Sequence, residues 1–213
     1  MLPHKLPIIC LCSLLSATCM FRAVDQVLLR FDGQAELSLA SLVTTQDARL
    51  DWRADSLRVS TGRLADWPGI TIRSPQDVWD LSSFVYLVAE VRNPSDRTLT
   101  VCCRVDNPGA DGREHCLSGR IQLSPSQTRP LVIPLRKRMP EALRSKLFGM
   151  RGYPDMWDAR QGIDPRQVTQ LLLFLHQPSE EHQFELLEVR ATGQRGLEIP
   201  TSERELCPLI DRF

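Results

Sequence analysis

Asp106 and Asn107 stand where an alternating apolar stretch gives way to a polar, glycine-rich run, Arg104-Val105-Asp106-Asn107-Pro108-Gly109-Ala110-Asp111-Gly112. A guanidinium, carboxylates and a carboxamide in so short a run supply planar hydrogen-bond donors and acceptors. Such chemistry suits a neutral polyhydroxyl ligand or a polar contact with another domain. The same residue types also build an ordinary tight connection between two strands, with Gly109 and Gly112 permitting positive φ. Two longer connections lie downstream, residues 148–165 and 176–182. Loops of this kind carry function on rigid scaffolds. Sugar recognition sets an aromatic face against the apolar side of a pyranose and adds planar polar groups. Tyr153 and Trp157 offer such faces, and Arg151 offers hydrogen bonds. Asp106, Asn107, Arg151, Tyr153 and Trp157 are therefore the candidate contact residues. Trp67 and Trp79 read as packing residues.

The elements that must position them read as strands. Val101, Cys103 and Val105 alternate with Cys102, Arg104 and Asp106, the period of a half-buried strand. Further strands are expected at 27–31, 49–52, 57–60, 69–72, 84–91, 99–106, 117–123, 130–135, 168–175 and 184–189. Turn signals recur about every ten residues, the rhythm of an antiparallel sandwich or jelly roll. One short helix is expected at 141–146, after Pro140. The absence of a strand–helix alternation excludes a parallel barrel from this chain. The expected core comprises Phe84, Tyr86, Val88, Val101, Val105, Ile121, Leu172, Phe174, Phe184 and Leu186. Arg104 is expected to be partly buried and tied to a carboxylate, because an unpaired buried guanidinium is costly. The loops at 106–112, 148–157 and 176–183 are expected to cluster at one end or edge.

Composition narrows the function classes. The 213 residues carry 26 Lys plus Arg and 26 Asp plus Glu, so no net charge attracts nucleic acid. A hydrophobic fraction of 42% is that of a globular protein. No nucleophile elbow, phosphate loop or metal signature occurs, and no pair of carboxylates stands in a recognisable acid/base arrangement. The 4 histidines are scattered, so neither a metal nor a cofactor is expected.

Residues 1–23 read as a secretory signal peptide: His4 and Lys5, an apolar run at 6–15, then small residues. Secretion or a periplasmic location follows. Lipidation at Cys19 ranks below simple cleavage, since Thr18 stands where a smaller residue is usual. Beyond the leader remain Cys102, Cys103, Cys116 and Cys207. If 99–106 and 115–123 form a hairpin, Cys116 lies nearly opposite the Cys102–Cys103 pair. At most one disulfide is then expected, from Cys116 to Cys102 in preference to Cys103, with Cys207 free.

The segments 79–82 (Trp-Asp-Leu-Ser), 104–112, 148–154 (Phe-Gly-Met-Arg-Gly-Tyr-Pro), 163–165 (Ile-Asp-Pro) and 170–178 occur in an order with a parallel elsewhere. They resemble the carbohydrate-binding-module-like domain at the N-terminus of secreted β-agarases and related agar-degrading glycoside hydrolases. The resemblance covers residues 24–193 and implies a galactose-binding-like β-sandwich packed against a catalytic (β/α) barrel. Residues 194–213 resemble the linker that leads into that barrel. The paired carboxylates of glycoside hydrolysis sit on the barrel, so the chain is expected to be a non-catalytic module. The implied partners are a galactan such as agarose or the barrel itself, with no membrane after leader cleavage. A structural docking domain and a fragment of a truncated β-agarase gene are the alternatives. Glu188 departs from the amide or aspartate expected in the closing strand.

Overall fold

Branched and aromatic residues at alternate positions favour pleated, half-buried backbone. The computed structural model, which describes residues 25–31, 35–135 and 162–194, is accordingly an antiparallel β-sandwich of jelly-roll type. Its strands are β1 (Gln26–Arg30), β2 (Val43–Gln46), β3 (Ala48–Trp52), β4 (Leu57–Thr61), β5 (Gly69–Arg73), β6 (Phe84–Arg92), β7 (Leu99–Asp106), β8 (Cys116–Leu123), β9 (Thr128–Pro134), β10 (Gln170–Phe174) and β11 (His182–Gln194). One sheet runs β3-β4-β11-β6-β9, with β1 also paired to β11; the other runs β2-β5-β10-β7-β8. Pro130 and Pro134 lie on β9, which among the described strands pairs with β6 alone. A residue without an N–H is tolerated there because the outer edge of the strand needs no donor.

The core lies between the sheets. Leu57, Val59, Leu87, Ala89, Val91, Phe184 and Leu186 face Ile72, Val101, Cys103, Val105, Leu171 and Leu173, all buried. Phe84, Val101, Val105, Phe184 and Leu186 lie in the core as expected from the sequence; Val88 is buried too, but on the outer face with Tyr86 and Glu90. Four other expected core residues are less buried. Tyr86 is exposed and Ile121 only partly buried. Leu172 and Phe174 point outward, because they pair with Arg104 and Cys102 on the polar face of β7. Residues 171–175 are apolar on both faces, so periodicity cannot choose between them. On β6, Glu90 shares the face of Tyr86 and marks it as the solvent side.

The expected disulfide is absent: Cys102, Cys103 and Cys116 are free thiols. The β7–β8 hairpin forms, but its register pairs Cys116 with Asp106, and Cys102 and Cys103 with Arg120 and Gly119. Cys116 therefore sits three positions beyond Cys103, roughly 10 Å along the strand at about 3.3 Å per residue. That exceeds the ~7 Å that a disulfide can span. Burial pushes the Cys103 thiol up to about 12. The expected helix at 141–146 and Cys207 lie outside the described residues. The strand β2 and a helix at Ala35–Leu39 were not anticipated. No helix among the described residues is long and apolar enough to cross a membrane.

Candidate functional site

Period-two geometry sends every second side chain of the β2-β5-β10-β7-β8 sheet away from the core. Register lines those side chains up across strands. Cys102 meets Arg120 and Phe174, Arg104 meets Ser118 and Leu172, and Leu172 meets Thr71, which meets Thr44. The outer face of this sheet carries a groove of about 910 Å³. Asp111, Gly112 and Arg113 wall it on one side, and Trp67 and His176 on another.

The aromatic end is built by two turns tied together. Leu175 donates its backbone N–H to the Pro68 carbonyl at 3.0 Å, and Gln177 to the Asp66 carbonyl at 2.8 Å. These bonds hold Trp67 against Phe174 edge to face, with ring centroids 5.6 Å apart. Trp67 also lies over His176 at 4.4 Å and 31°. Trp67 as a whole remains 48% exposed. Gly69 is required beneath this cluster: a Cβ there would come within 2.6 Å of the Phe174 Cα.

The polar end is built on Asp106, which has no exposed surface. Its carboxylate accepts from Arg104 Nε at 2.8 Å and Arg104 Nη2 at 2.9 Å. Gln170 Nε2 donates to the same group at 2.9 Å. The expected tie between Arg104 and a carboxylate is thus present, and these hydrogen bonds raise the Arg104 pKa further. The fork fixes the guanidinium in one plane. Its remaining nitrogen, Nη1, faces Gly112, where an added Cβ would approach to 3.0 Å. Gly112 has φ +89, so the loop needs glycine there for backbone reasons as well.

Asn107 braces the loop that walls the groove. Its Nδ2 donates to the carbonyls of Asp164 at 2.9 Å and Gln167 at 2.6 Å. Its Oδ1 accepts the Asp164 N–H at 2.6 Å. Further along, Asp111 Oδ1 accepts the N–H groups of Arg113 at 2.8 Å and Glu114 at 2.7 Å. These two bonds hold its carboxyl below the ordinary carboxylate range.

The candidate contact residues thus fall into two groups. Asp106 and Asn107 lie beside the groove, and their polar atoms are engaged in holding Arg104 and the 107–115 loop. Arg151, Tyr153 and Trp157 lie outside the described residues. The loops at 106–112 and 176–183 leave opposite ends of the sheet, since Asp106 pairs with Gln170 at the start of β10 and not with its end. They do not cluster; each walls a different part of one groove. Glu188, the departure noted in the closing strand, lies on the other sheet and pairs with Arg30 at 3.2 Å and Arg190 at 3.3 Å. Sequence reasoning missed Trp67, Phe174, His176 and Arg120. The signal for two of them was spacing: Leu172, Phe174 and His176 recur at every second position of a strand whose intervening leucines already fill the core. Among the described residues, no three His, Cys, Asp or Glu side chains come together to hold a metal.

No protein-family model matches the sequence, and no curated protein matches it. Solved structures do share its fold. One is an agarase, with TM-score 0.59 and 14% identity over 88% of this chain and 30% of that one. Another is an exo-β-agarase, with TM-score 0.57 and 14% identity over 85% of this chain and 26% of that one. A family 11 carbohydrate-binding module from Clostridium thermocellum, in complex with a mixed-linked tetrasaccharide, aligns at TM-score 0.48 and 14% identity, over 80% of this chain and 96% of the module. The two agarases share this chain's fold over most of its length. At these identities the likeness is one of fold, and the chain spans less than a third of the agarase chains it matches.

Proposed function

We propose that this chain is a non-catalytic carbohydrate-binding module of a secreted agarase-type glycoside hydrolase, and that an agar-type galactan lies in the groove on the β2-β5-β10-β7-β8 sheet. The observation that carries this reading is the half-exposed Trp67, held by Phe174 and His176 at the edge of a groove whose far side is hydrogen-bonding. A pyranose has an apolar C–H face and a rim of hydroxyls. It would stack on the indole and reach the Arg104 Nη1, Ser118 and Thr71 side. The indole face left open to water is the kind of flat apolar surface on which the C–H face of a pyranose can stack. The described groove lining includes one carboxylate, Asp111, whose Oδ1 is occupied by backbone N–H groups. Hydrolysis needs two carboxyl groups roughly 5–9.5 Å apart, which favours binding over cleavage. The fold shared with agarases supports a galactan as the ligand. In this reading residues 1–23 direct export and residues 194–213 lead toward a catalytic barrel.

Retention of the full chain on insoluble agarose, compared with Trp67→Ala, tests the reading. The parent should be retained, and Trp67→Ala should bind about tenfold more weakly or worse, which is ~1.4 kcal/mol. Absence of retention of the parent, or equal retention of both, would overturn it. Docking onto another domain is the second reading. It is favoured by a strip on the opposite sheet, where Val27, Tyr86 and Val132 are 41%, 41% and 46% exposed. Such a module would not be retained on agarose.

A further inference from the structure

We propose that the groove prefers a galactan bearing an anionic group, a sulfate ester or a uronate carboxylate, over neutral agarose. This rests on the reading that the groove holds a glycan. The chain has no net charge, yet most arginines of the sheet opposite the groove are ion-paired, with the exposed Arg49 and Arg129 the exceptions among the described residues. On the opposite sheet Arg30, Arg58, Arg92 and Arg190 each meet a glutamate, at 3.2, 2.6, 2.5 and 3.3 Å. The groove is lined by Arg104, Arg113, Arg120 and the carboxylate Asp111; Asp106 already neutralises Arg104, so the positive charge without an ion-pair partner among the described residues is that of Arg113 and Arg120. Among the described residues, no carboxylate lies within ion-pair distance of Arg113 or Arg120. Both side chains are exposed.

Register sets where these charges stand. Arg104 is paired with Ser118, so Arg120, two positions further on β8, is its diagonal neighbour across the strands. Diagonal neighbours lie about 7–8 Å apart. Arg104 cannot swing away, because Asp106 grips Nε and Nη2 and leaves Nη1 toward the groove wall. Arg113 is presented by the loop that Asp111 and Asn107 hold. Arg113 and Arg120 can each offer a two-nitrogen fork to a planar or tetrahedral oxyanion, and Arg104, whose fork is held by Asp106, adds the single donor Nη1. A neutral hydroxyl needs only a single donor or acceptor and gains little from this density of cations. Arg120 also lies over the floor of the groove, where its charge opposes the rise that burial imposes on the Cys102 thiol.

Calorimetric titration of the full chain decides the matter, with three soluble oligosaccharides of matched length: neutral agaro-oligosaccharide, a sulfated galactan oligosaccharide and an oligogalacturonate. At low salt at least one anionic ligand should bind about tenfold tighter than the neutral one. The tighter of the two anionic arms identifies the group. The margin should shrink at ~150 mM salt, where screening acts over about 8 Å. In the double variant Arg113→Gln, Arg120→Gln the ratio of anionic to neutral affinity should fall to about one. Equal affinity of the parent for neutral and anionic ligands would overturn the preference and leave the groove reading standing. A preference that survives the double variant would also overturn it. If no oligosaccharide binds, the groove reading itself falls.

Discussion

Replacing Asn107 by alanine separates a bracing role from a ligand contact. The side chain makes its three hydrogen bonds to main-chain groups of Asp164 and Gln167, at 2.9, 2.6 and 2.6 Å. It thereby ties the loop after β7 to the 3₁₀ turn Pro165–Gln167 that leads into β10. Each bond contributes roughly 1 kcal/mol net, and a buried partner left without a bond costs about 1–3 kcal/mol. Asn107 is buried, but its partners are only part-buried and recover some water. The expected loss is therefore about 2–3 kcal/mol, seen in urea unfolding as a lower midpoint with an unchanged slope. Asn107→Asp should cost at least as much. It keeps the acceptor for the Asp164 N–H but turns a negative charge toward two carbonyl oxygens. A loss below about 0.5 kcal/mol for both variants, within the range of ordinary surface substitutions, would refute the bracing role.

Asp106→Ala should destabilise by about 3 kcal/mol, the low end for a broken buried ion pair, because Arg104 keeps 23% of its side chain exposed. Chemical denaturation measures it, and Asp106→Asn should recover part of the loss through its remaining acceptor. In alkylation at mildly alkaline pH followed by peptide mapping, Cys102 should react first among the sandwich thiols. Cys103, fully buried with its thiol pushed up to about 12, should react only on unfolding. The Asp111 carboxyl carbon should titrate below its ordinary value of 3.8, because the N–H groups of Glu114 and Arg113 favour the charged form. The stability this contributes to the loop is present above the unfolded value and lost as pH falls through the folded one. A midpoint at or above 3.8 would contradict the Asx turn.

The strand rhythm was legible because Gly, Pro, Asn and Asp punctuate short alternating runs, and the β7–β8 hairpin could be placed from its loop alone. Faces were legible only where polar residues alternate cleanly, as along residues 101–106. They were not legible in residues 171–175, where apolar side chains serve both the core and the groove. The one-sided polarity of a strand is the only information that sequence carries about direction, and β10 lacks it. The misplaced disulfide has a similar origin. Hairpin register depends on loop length and on the positive-φ residues Gly109, Gly112 and His115, which shift Cys116 to a position opposite Asp106. The polar run at 104–112 is legible as the end of a strand and a connection to the next one. Its donors and acceptors serve mostly the loop's own backbone and Arg104. Trp67 reads as packing from its residue type alone, since tryptophans are on average largely buried. Its exposure follows from a long-range pairing with residues 175–177 that no local pattern announces.

The central claim is that the outer face of the β2-β5-β10-β7-β8 sheet receives the glycan. Mapping amide and indole chemical shifts of the full chain during titration with a galactan oligosaccharide tests it most directly. The account predicts saturable shifts at the Trp67 indole N–H and at Cys102, Arg104, Gly112, Leu172 and Phe174, with the opposite sheet silent. Shifts confined to Tyr86, Val88 and Val132 on that opposite sheet would contradict it.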